Sequence, residues 1–209
     1  MMLGDELLQI MTALGQRVRL EEPKPAPPEP PRDLYGAPRS YEWARTAEGI
    51  APCIGWPAIE QLRGYSRTKP RVVVVWGSKS GIGKTAAALL LARGLAPDGI
   101  GYFVRATEIV ASLQEAGYGS TPDQVHRARG TRVLVLDDLG IEAANEANRA
   151  AMCDLVWRRA DNERAGRTTV VTTSLGPDEL TRRYGDGMTR RLHAQAALHL
   201  GSVTPRNTT

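Results

Sequence analysis

Cysteine is scarce in this chain of 209 residues, which has only Cys53 and Cys153. Two cysteines so far apart predict neither a zinc cluster nor a disulfide framework, so we expect two buried, free thiols. No apolar run is long enough to span a bilayer, and the first residues lack the basic stretch and cleavage site of a signal peptide. The sequence therefore predicts a cytoplasmic protein without membrane contact.

Lysine is scarce as well, since the cations are 23 Arg and only 4 Lys. The formal net charge of +4 permits contact with nucleic acid, but ordinary enzymes often carry as much. Arginine suits phosphate binding and subunit interfaces. A GC-rich genome produces the same bias, so composition leaves both explanations open.

The most informative segment that is present is glycine-rich and spans residues 77–85. It follows four valines, 72–75, and precedes an alanine- and leucine-rich stretch, 86–91, which is the order strand, loop, helix. Such a loop turns its backbone N–H groups towards phosphate, its lysine reaches the outer phosphates, and its threonine hydroxyl serves Mg²⁺. The sequence therefore predicts a P-loop for ATP and Mg²⁺.

The residues predicted to hold the nucleotide are Ser80, Gly81, Ile82, Gly83, Lys84, Thr85 and Ala86. The loop departs from the usual G-x-x-x-x-G-K-[ST] pattern at its first glycine. Ser78 stands at that position, and Gly77 lies one residue earlier. We therefore expect a slightly reshaped loop.

Three parts of the chain are predicted, with bounds 1–22, 23–69 and 70–209. The first is a short amphipathic helix over residues 5–20, whose apolar stripe consists of Leu7, Met11, Leu14 and Val18. The second begins with six prolines within residues 23–31, which predict an extended tether. It continues into an aromatic segment, 34–69, with a helix starting at Pro57 and side chains expected to pack on the core.

The third part alternates strands with helices, which predicts an α/β fold with a parallel sheet between helices. Its predicted strands are 71–76, 101–105, 132–136 and 168–173. Its predicted helices are 84–95, 107–116, 122–129, 143–163, 177–184 and 186–195.

Polar side chains follow two of these strands, where ligands bind in open α/β sheets. Asp137 and Asp138 end the third strand, so Asp137 is predicted on the magnesium side and Asp138 as the group that polarises the attacking water. An aspartate capping a helix gives the same local pattern. The hydroxyls of residues 172–174 end the fourth strand beside the same site, where they could orient water or contact a γ-phosphate.

Taken together, these motifs resemble the DnaC-type helicase loaders and the related IstB-type transposition ATPases, both of the AAA+ superfamily. The segments that carry the resemblance are the P-loop, 136–140, 172–175, 177–180, 184–186 and 191–192. The resemblance covers about residues 70–195. It implies a P-loop AAA+ core without a helical lid domain, and weak ATP hydrolysis until subunits assemble.

The resemblance also implies roles for individual residues. Lys84 and Thr85 would bind the triphosphate and Mg²⁺, and Asp137 with Asp138 would form the Walker B element. Ser174 would be sensor 1, commonly Asn in the family, and Arg191 the arginine finger that acts on a neighbouring subunit. Gly187 stands where the family often has another arginine.

The leading hypothesis is an ATPase of a phage or its host that binds a replicative DNA helicase and loads it onto single-stranded DNA. ATP would order a homo-oligomer, helix 5–20 would bind the helicase, and Arg105, Arg127 and Arg129 would contact DNA. Three alternatives stay open: an IstB-type transposition helper that binds duplex DNA, a small-molecule P-loop kinase, and a nucleotide-dependent binding module without hydrolysis.

Overall fold

The computed structural model describes residues 34–96, 98, 101–116, 121–161 and 166–201. The helix predicted over residues 5–20 and the proline run lie outside these residues. Within them, no helix combines the length and the apolar character that crossing a membrane requires.

The centre of the fold is a five-stranded sheet in which every paired strand runs parallel. Its strands are β1 (Val72–Trp76), β2 (Gly101–Arg105), β3 (Val133–Leu139), β4 (Thr168–Thr173) and β5 (Ala196–His199). The spatial order is β2-β3-β4-β1-β5, so the carboxyl ends of β1, β4 and β3 lie side by side. The predicted α/β fold with a parallel sheet is confirmed.

Helices cover both faces of this sheet. They are α1 (Ala47–Ile54), α2 (Trp56–Thr68), α3 (Lys84–Leu95), α4 (Ala106–Ala116), α5 (Asp123–Gly130), α6 (Glu146–Ala160), α7 (Pro177–Tyr184) and α8 (Asp186–His193). Side chains alternate along each strand, so Val73 and Val75 pack with α1–α3, whereas Val72 and Val74 pack with α4–α8. The apolar strands are therefore buried on both faces, as parallel strands require.

The aromatic segment, 34–69, shares the hydrophobic core of the sheet. Leu34, Ile50 and Ile59 are buried in the same cluster as α3. Of the aromatic residues expected to pack on the core, Tyr41 and Tyr65 do so, whereas Tyr35, Trp43 and Trp56 are exposed. A 3-10 helix (Arg39–Arg45) precedes α1, and α2 begins one residue before the Pro57 at which a helix was predicted. The N–H of Tyr35 donates to Gly101 O at 3.0 Å, which attaches the segment to the edge strand β2. The division of the chain into three parts stays a prediction.

The end of the described chain differs from the predicted elements. The last helix was predicted to residue 195, but α8 ends at His193 and β5 follows it. Residues 196–199, Ala-Ala-Leu-His, have little intrinsic preference for a strand. They form one because they pair with β1, and the N–H of Leu200 extends this pairing by donating to Trp76 O at 2.8 Å.

A buried arginine on α6 joins the starts of β3 and β4. Arg159 is only 1% exposed, and its guanidinium donates to Thr169 Oγ1 (2.8 Å) and to backbone carbonyls that include Thr168 O (2.9 Å) and Ala128 O (2.7 Å). Removing these donors leaves buried acceptors without partners, and each such acceptor costs about 1–3 kcal/mol.

We therefore expect Arg159→Met to lower the free energy of unfolding by about 2–4 kcal/mol, measured by urea denaturation. Arg158→Met is the matched control, since Arg158 lies on the same helix and forms an exposed ion pair with Asp154 at 2.6 Å. Its loss should cost at most about 1 kcal/mol. Equal losses in the two variants would contradict the role assigned to Arg159.

Candidate nucleotide-binding site

The glycine-rich loop joins β1 to α3 and holds the lysine at its centre. Gly81 and Gly83 have positive φ angles of 76° and 90°, a conformation that side chains disfavour. Lys84 begins α3, and its Nζ donates to Gly77 O at 3.0 Å and to Lys79 O at 2.8 Å. Burial lowers the pKa of Lys84, while Asp138 and Asp137 act in the opposite direction. The ammonium thus lies within the loop, where phosphate oxygens could replace the two carbonyls.

The glycine that the loop needs is Gly77, not residue 78. A Cβ at Gly77 would lie 2.4 Å from Ile82 Cδ1 and 2.5 Å from Leu200 O, so any side chain there would collide with the loop and with the end of β5. Ser78 is exposed and imposes no such limit. The departure from the usual motif is therefore accommodated by a glycine one position earlier.

A cleft of about 450 Å³ opens above this loop, within the usual range for small-molecule sites. The residues that line it are Tyr41, Trp43, Cys53, Ser80, Gly81, Gly83, Lys84, Thr85, Ala86, Asp138, Ile141 and Ser174. All but one of the residues predicted to bind nucleotide are in this set. The exception, Ile82, has a side chain that packs beside Gly77 and the core.

The carboxyl end of β3 contains an irregularity that affects both aspartates. Leu136 pairs with Val171 and Leu139 pairs with Thr173, so Asp137 and Asp138 together lie opposite the single residue Thr172. Such a bulge changes the direction of the side chains next to it. As a result Asp137 is buried below the cleft, whereas Asp138 lines it.

Asp137 contacts the threonine of the P-loop. Its Oδ1 accepts hydrogen bonds from Thr85 Oγ1 at 2.9 Å and from Thr172 Oγ1 at 2.7 Å. Burial raises the pKa of Asp137, which is 2% exposed, and the two hydroxyls counteract that effect. A carboxylate beside a hydroxyl is an oxygen ligand set that Mg²⁺ prefers, so Thr85 and Asp137 fit the predicted metal site.

Asp138 has a left-handed backbone, with φ at +56°. This conformation is uncommon outside glycine, although Asp and Asn adopt it more easily than other residues. The N–H of Asp138 donates to Thr172 Oγ1 at 2.9 Å, which supports the conformation. The carboxylate lies at the cleft, where the group that polarises water is predicted.

The three hydroxyl residues that end β4 have different positions. Thr172 and Thr173 are buried, and Thr173 Oγ1 donates to Leu139 O at 2.6 Å. Neither faces the cleft, although the sequence predicted all three hydroxyls there. Ser174 lines the cleft beside Asp138. Its role as sensor 1 stays a prediction.

Arg191 lies on α8, where its side chain contacts the C-terminal end of α6. Its guanidinium carbon is 5.2 Å from the centre of the Trp157 ring, and its Nε is 3.5 Å from Asp161 Oδ1. The described residues that line the cleft do not include Arg191. This position is compatible with an arginine that acts on a neighbouring subunit, and the finger assignment stays a prediction.

Two of the three arginines predicted to contact DNA have partners within the chain. Arg127 stacks on Tyr35 at 4.0 Å, and Arg129 bonds to Asp154 at 2.6 Å. Arg105 is exposed at the end of β2, where it pairs in register with Asp137. Arg127 is exposed as well, and the contact with DNA remains a prediction for all three.

Sequence reasoning missed the side of the cleft that the aromatic segment forms. Tyr41 and Trp43, with ring centres 6.1 Å apart, line the cleft together with Cys53. Cys53 was expected to be buried but is partly exposed there, whereas Cys153 is buried as predicted. The excess of aromatic residues before β1 was a signal, but the sequence pattern did not say that the 3-10 helix turns them towards the P-loop.

Residues 51–198 match the family model for the IstB-like ATP binding protein. The fold is similar to that of the DnaC helicase loader, with 20% identity, a TM-score of 0.62 and coverage of 78% of this chain and 99% of that one. For DnaI these values are 17%, 0.64, 82% and 97%. No curated protein matches at a significant level.

A further structural match is domain III of the Thermotoga maritima replication initiation protein DnaA. It has 16% identity and a TM-score of 0.56, with coverage of 78% of this chain and 68% of that one. At sequence identities of 20% or less, the similarity to solved structures shows the fold alone. The predicted P-loop AAA+ fold is thereby confirmed.

Proposed function

We propose that this chain, which belongs to the family of IstB-like ATP binding proteins, loads a replicative DNA helicase onto single-stranded DNA. The chain is an ATPase of the AAA+ type. The observation that carries the more specific proposal is the likeness in fold to the DnaC helicase loader, which extends over nearly all of that chain. Loading of a replicative helicase implies a cytoplasmic protein.

The cleft supports nucleotide chemistry through the residues of this chain. The loop N–H groups and Lys84 would bind the β- and γ-phosphates, and Thr85 with Asp137 would hold Mg²⁺. The metal supplies charge neutralisation at the phosphates when it is bound. Asp138 would accept the hydrogen bond of the attacking water, and Ser174, which lines the same cleft, would contact the γ-phosphate.

ATP binding would then promote assembly of the subunits. Arg191 is not among the described residues that line the cleft of its own subunit, so it would complete the site of an adjacent copy in a homo-oligomer. Single-stranded DNA would lie along the assembled subunits, with the exposed Arg105 and Arg127 as candidate contacts. The helicase would be bound by the amphipathic helix predicted over residues 5–20, which lies outside the described residues.

Co-purification with the replicative helicase of the same organism, with and without ATP, tests the proposal. We expect a stable complex that Leu14→Asp disrupts, because a charge in the apolar stripe opposes burial in a partner groove. Gln16→Asp is the matched control, since residue 16 lies outside that stripe and the change adds the same charge. ATP binding should be unchanged in both variants.

The outcomes distinguish the proposed functions. A chain that binds duplex DNA and leaves the helicase unbound in both nucleotide conditions would favour the transposition helper. Loss of helicase binding in both variants would remove the stripe from the proposal.

A further inference from the structure

Thr172 is a buried residue for which the proposed reaction gives no role so far. It is 0% exposed on the central strand β4, directly opposite the bulge that contains Asp137 and Asp138. Its hydroxyl contacts both of these residues. No other described side chain is hydrogen-bonded to both of them.

The two contacts fix the direction of the hydroxyl proton. The N–H of Asp138 donates to Thr172 Oγ1 at 2.9 Å, so the oxygen serves there as an acceptor. The proton of the hydroxyl then points to Asp137 Oδ1, at 2.7 Å. A hydroxyl has one proton and two lone pairs, and this geometry uses the proton on the carboxylate.

We infer that Thr172 is a positioning residue that holds the magnesium-side carboxylate of Asp137 and the left-handed backbone of Asp138 in register with each other. The inference rests on the proposed nucleotide site and adds to it a residue outside the cleft. Thr85 Oγ1 donates to the same oxygen of Asp137, so two hydroxyls limit the rotation of this carboxylate.

The alternative is that Thr172 only satisfies buried polar groups of the sheet. Thr168 provides the comparison, because it lies at the opposite end of the same strand, is also buried and uses its hydroxyl on Pro70 O at 2.9 Å. Both residues are therefore buried threonines with a satisfied hydroxyl. Only Thr172 contacts residues of the nucleotide site.

The test measures the gain in ATP affinity that Mg²⁺ provides. Calorimetry of the full chain with ATP in EDTA and in excess Mg²⁺ gives two affinities, and their ratio is the gain. Loss of a residue that orients a metal ligand typically weakens metal binding about 10- to 100-fold, so Thr172→Val should reduce the gain by about 10-fold or more. ATP affinity in EDTA should stay unchanged, since the loop and Lys84 are intact.

Two further variants separate positioning from packing. Thr172→Ser keeps the hydroxyl and should restore the gain, whereas Thr168→Val should leave it at the wild-type level. An unchanged gain in Thr172→Val, or a serine variant as defective as the valine variant, would overturn the inference. If Thr172→Val folds poorly by its melting temperature, Thr172→Ala is judged by the same ratio.

The controls also separate this inference from the proposed function. A wild-type chain that binds no ATP in either condition would contradict the nucleotide site and the inference with it. If Mg²⁺ raises the ATP affinity of the wild-type chain and raises that of Thr172→Val equally, only the inference is contradicted.

Discussion

Replacing Arg191 with Ala should reduce ATP hydrolysis by the assembled protein about 10³-fold or more, the loss expected for an arginine finger. Binding of ATP by the isolated subunit should stay nearly intact, because Arg191 packs on Trp157 and lies near Asp161 rather than in the cleft. Its side chain is 41% exposed, so a neighbouring subunit can reach it. Steady-state turnover at increasing protein concentration measures the effect.

Arg190→Ala is the matched control for this prediction. Arg190 is adjacent on α8, its side chain is 77% exposed, and its charge is paired with Asp186 at 3.4 Å. We expect turnover close to the wild-type value. Equal losses in the two variants would indicate a general effect of charge on this helix instead of a finger at Arg191.

Mixing two inactive variants tests whether Arg191 acts between subunits. Lys84→Ala removes the cation of the P-loop but keeps Arg191, while Arg191→Ala keeps the P-loop. An interface between them pairs an intact nucleotide site with an intact arginine, so part of the activity should return. No recovery at any mixing ratio would count against action on a neighbouring subunit.

The sheet and the P-loop were predictable because their signals are local. Four consecutive valines mark a buried strand, and a lysine and threonine after glycines mark a phosphate loop at its end. Because the strands were predicted to be parallel, the carboxyl ends of β1, β3 and β4 were expected at one edge of the sheet. This is why Asp138, Ser174 and Lys84 were expected together and are found lining one cleft.

The features that the sequence did not predict depend on contacts between distant residues. β5 forms because β1 provides its partner, and nothing in residues 196–199 specifies a strand. Tyr41 and Trp43 reach the cleft because the 3-10 helix that contains them packs against α3. The hydroxyls of 172–174 were placed at the correct edge, but which of them faces the cleft depends on the bulge in β3.

Replacing Asp138 with Asn should keep ATP binding and abolish turnover. The change removes the charge but little else, because Asn has nearly the same shape and is tolerated in the left-handed conformation that residue 138 adopts, with φ at +56°. The hydrogen bond from its N–H to Thr172 is made by the backbone and is retained. An amide cannot accept the proton of an attacking water as a carboxylate does, and such general-base catalysis typically contributes about 10²–10⁴-fold.

Single-turnover hydrolysis and calorimetry on the same preparation measure the two halves of this prediction. Asp137→Asn is the informative comparison, because Asp137 contacts Thr85 and is assigned to the metal side of the site. That variant should lose the gain in ATP affinity from Mg²⁺, whereas Asp138→Asn should keep it. The two residues are neighbours that both face Thr172, and the same substitution is made in each. If only Asp137→Asn loses the gain in affinity, metal binding and water activation belong to different aspartates. Turnover that survives in Asp138→Asn would assign the activation of water to another group.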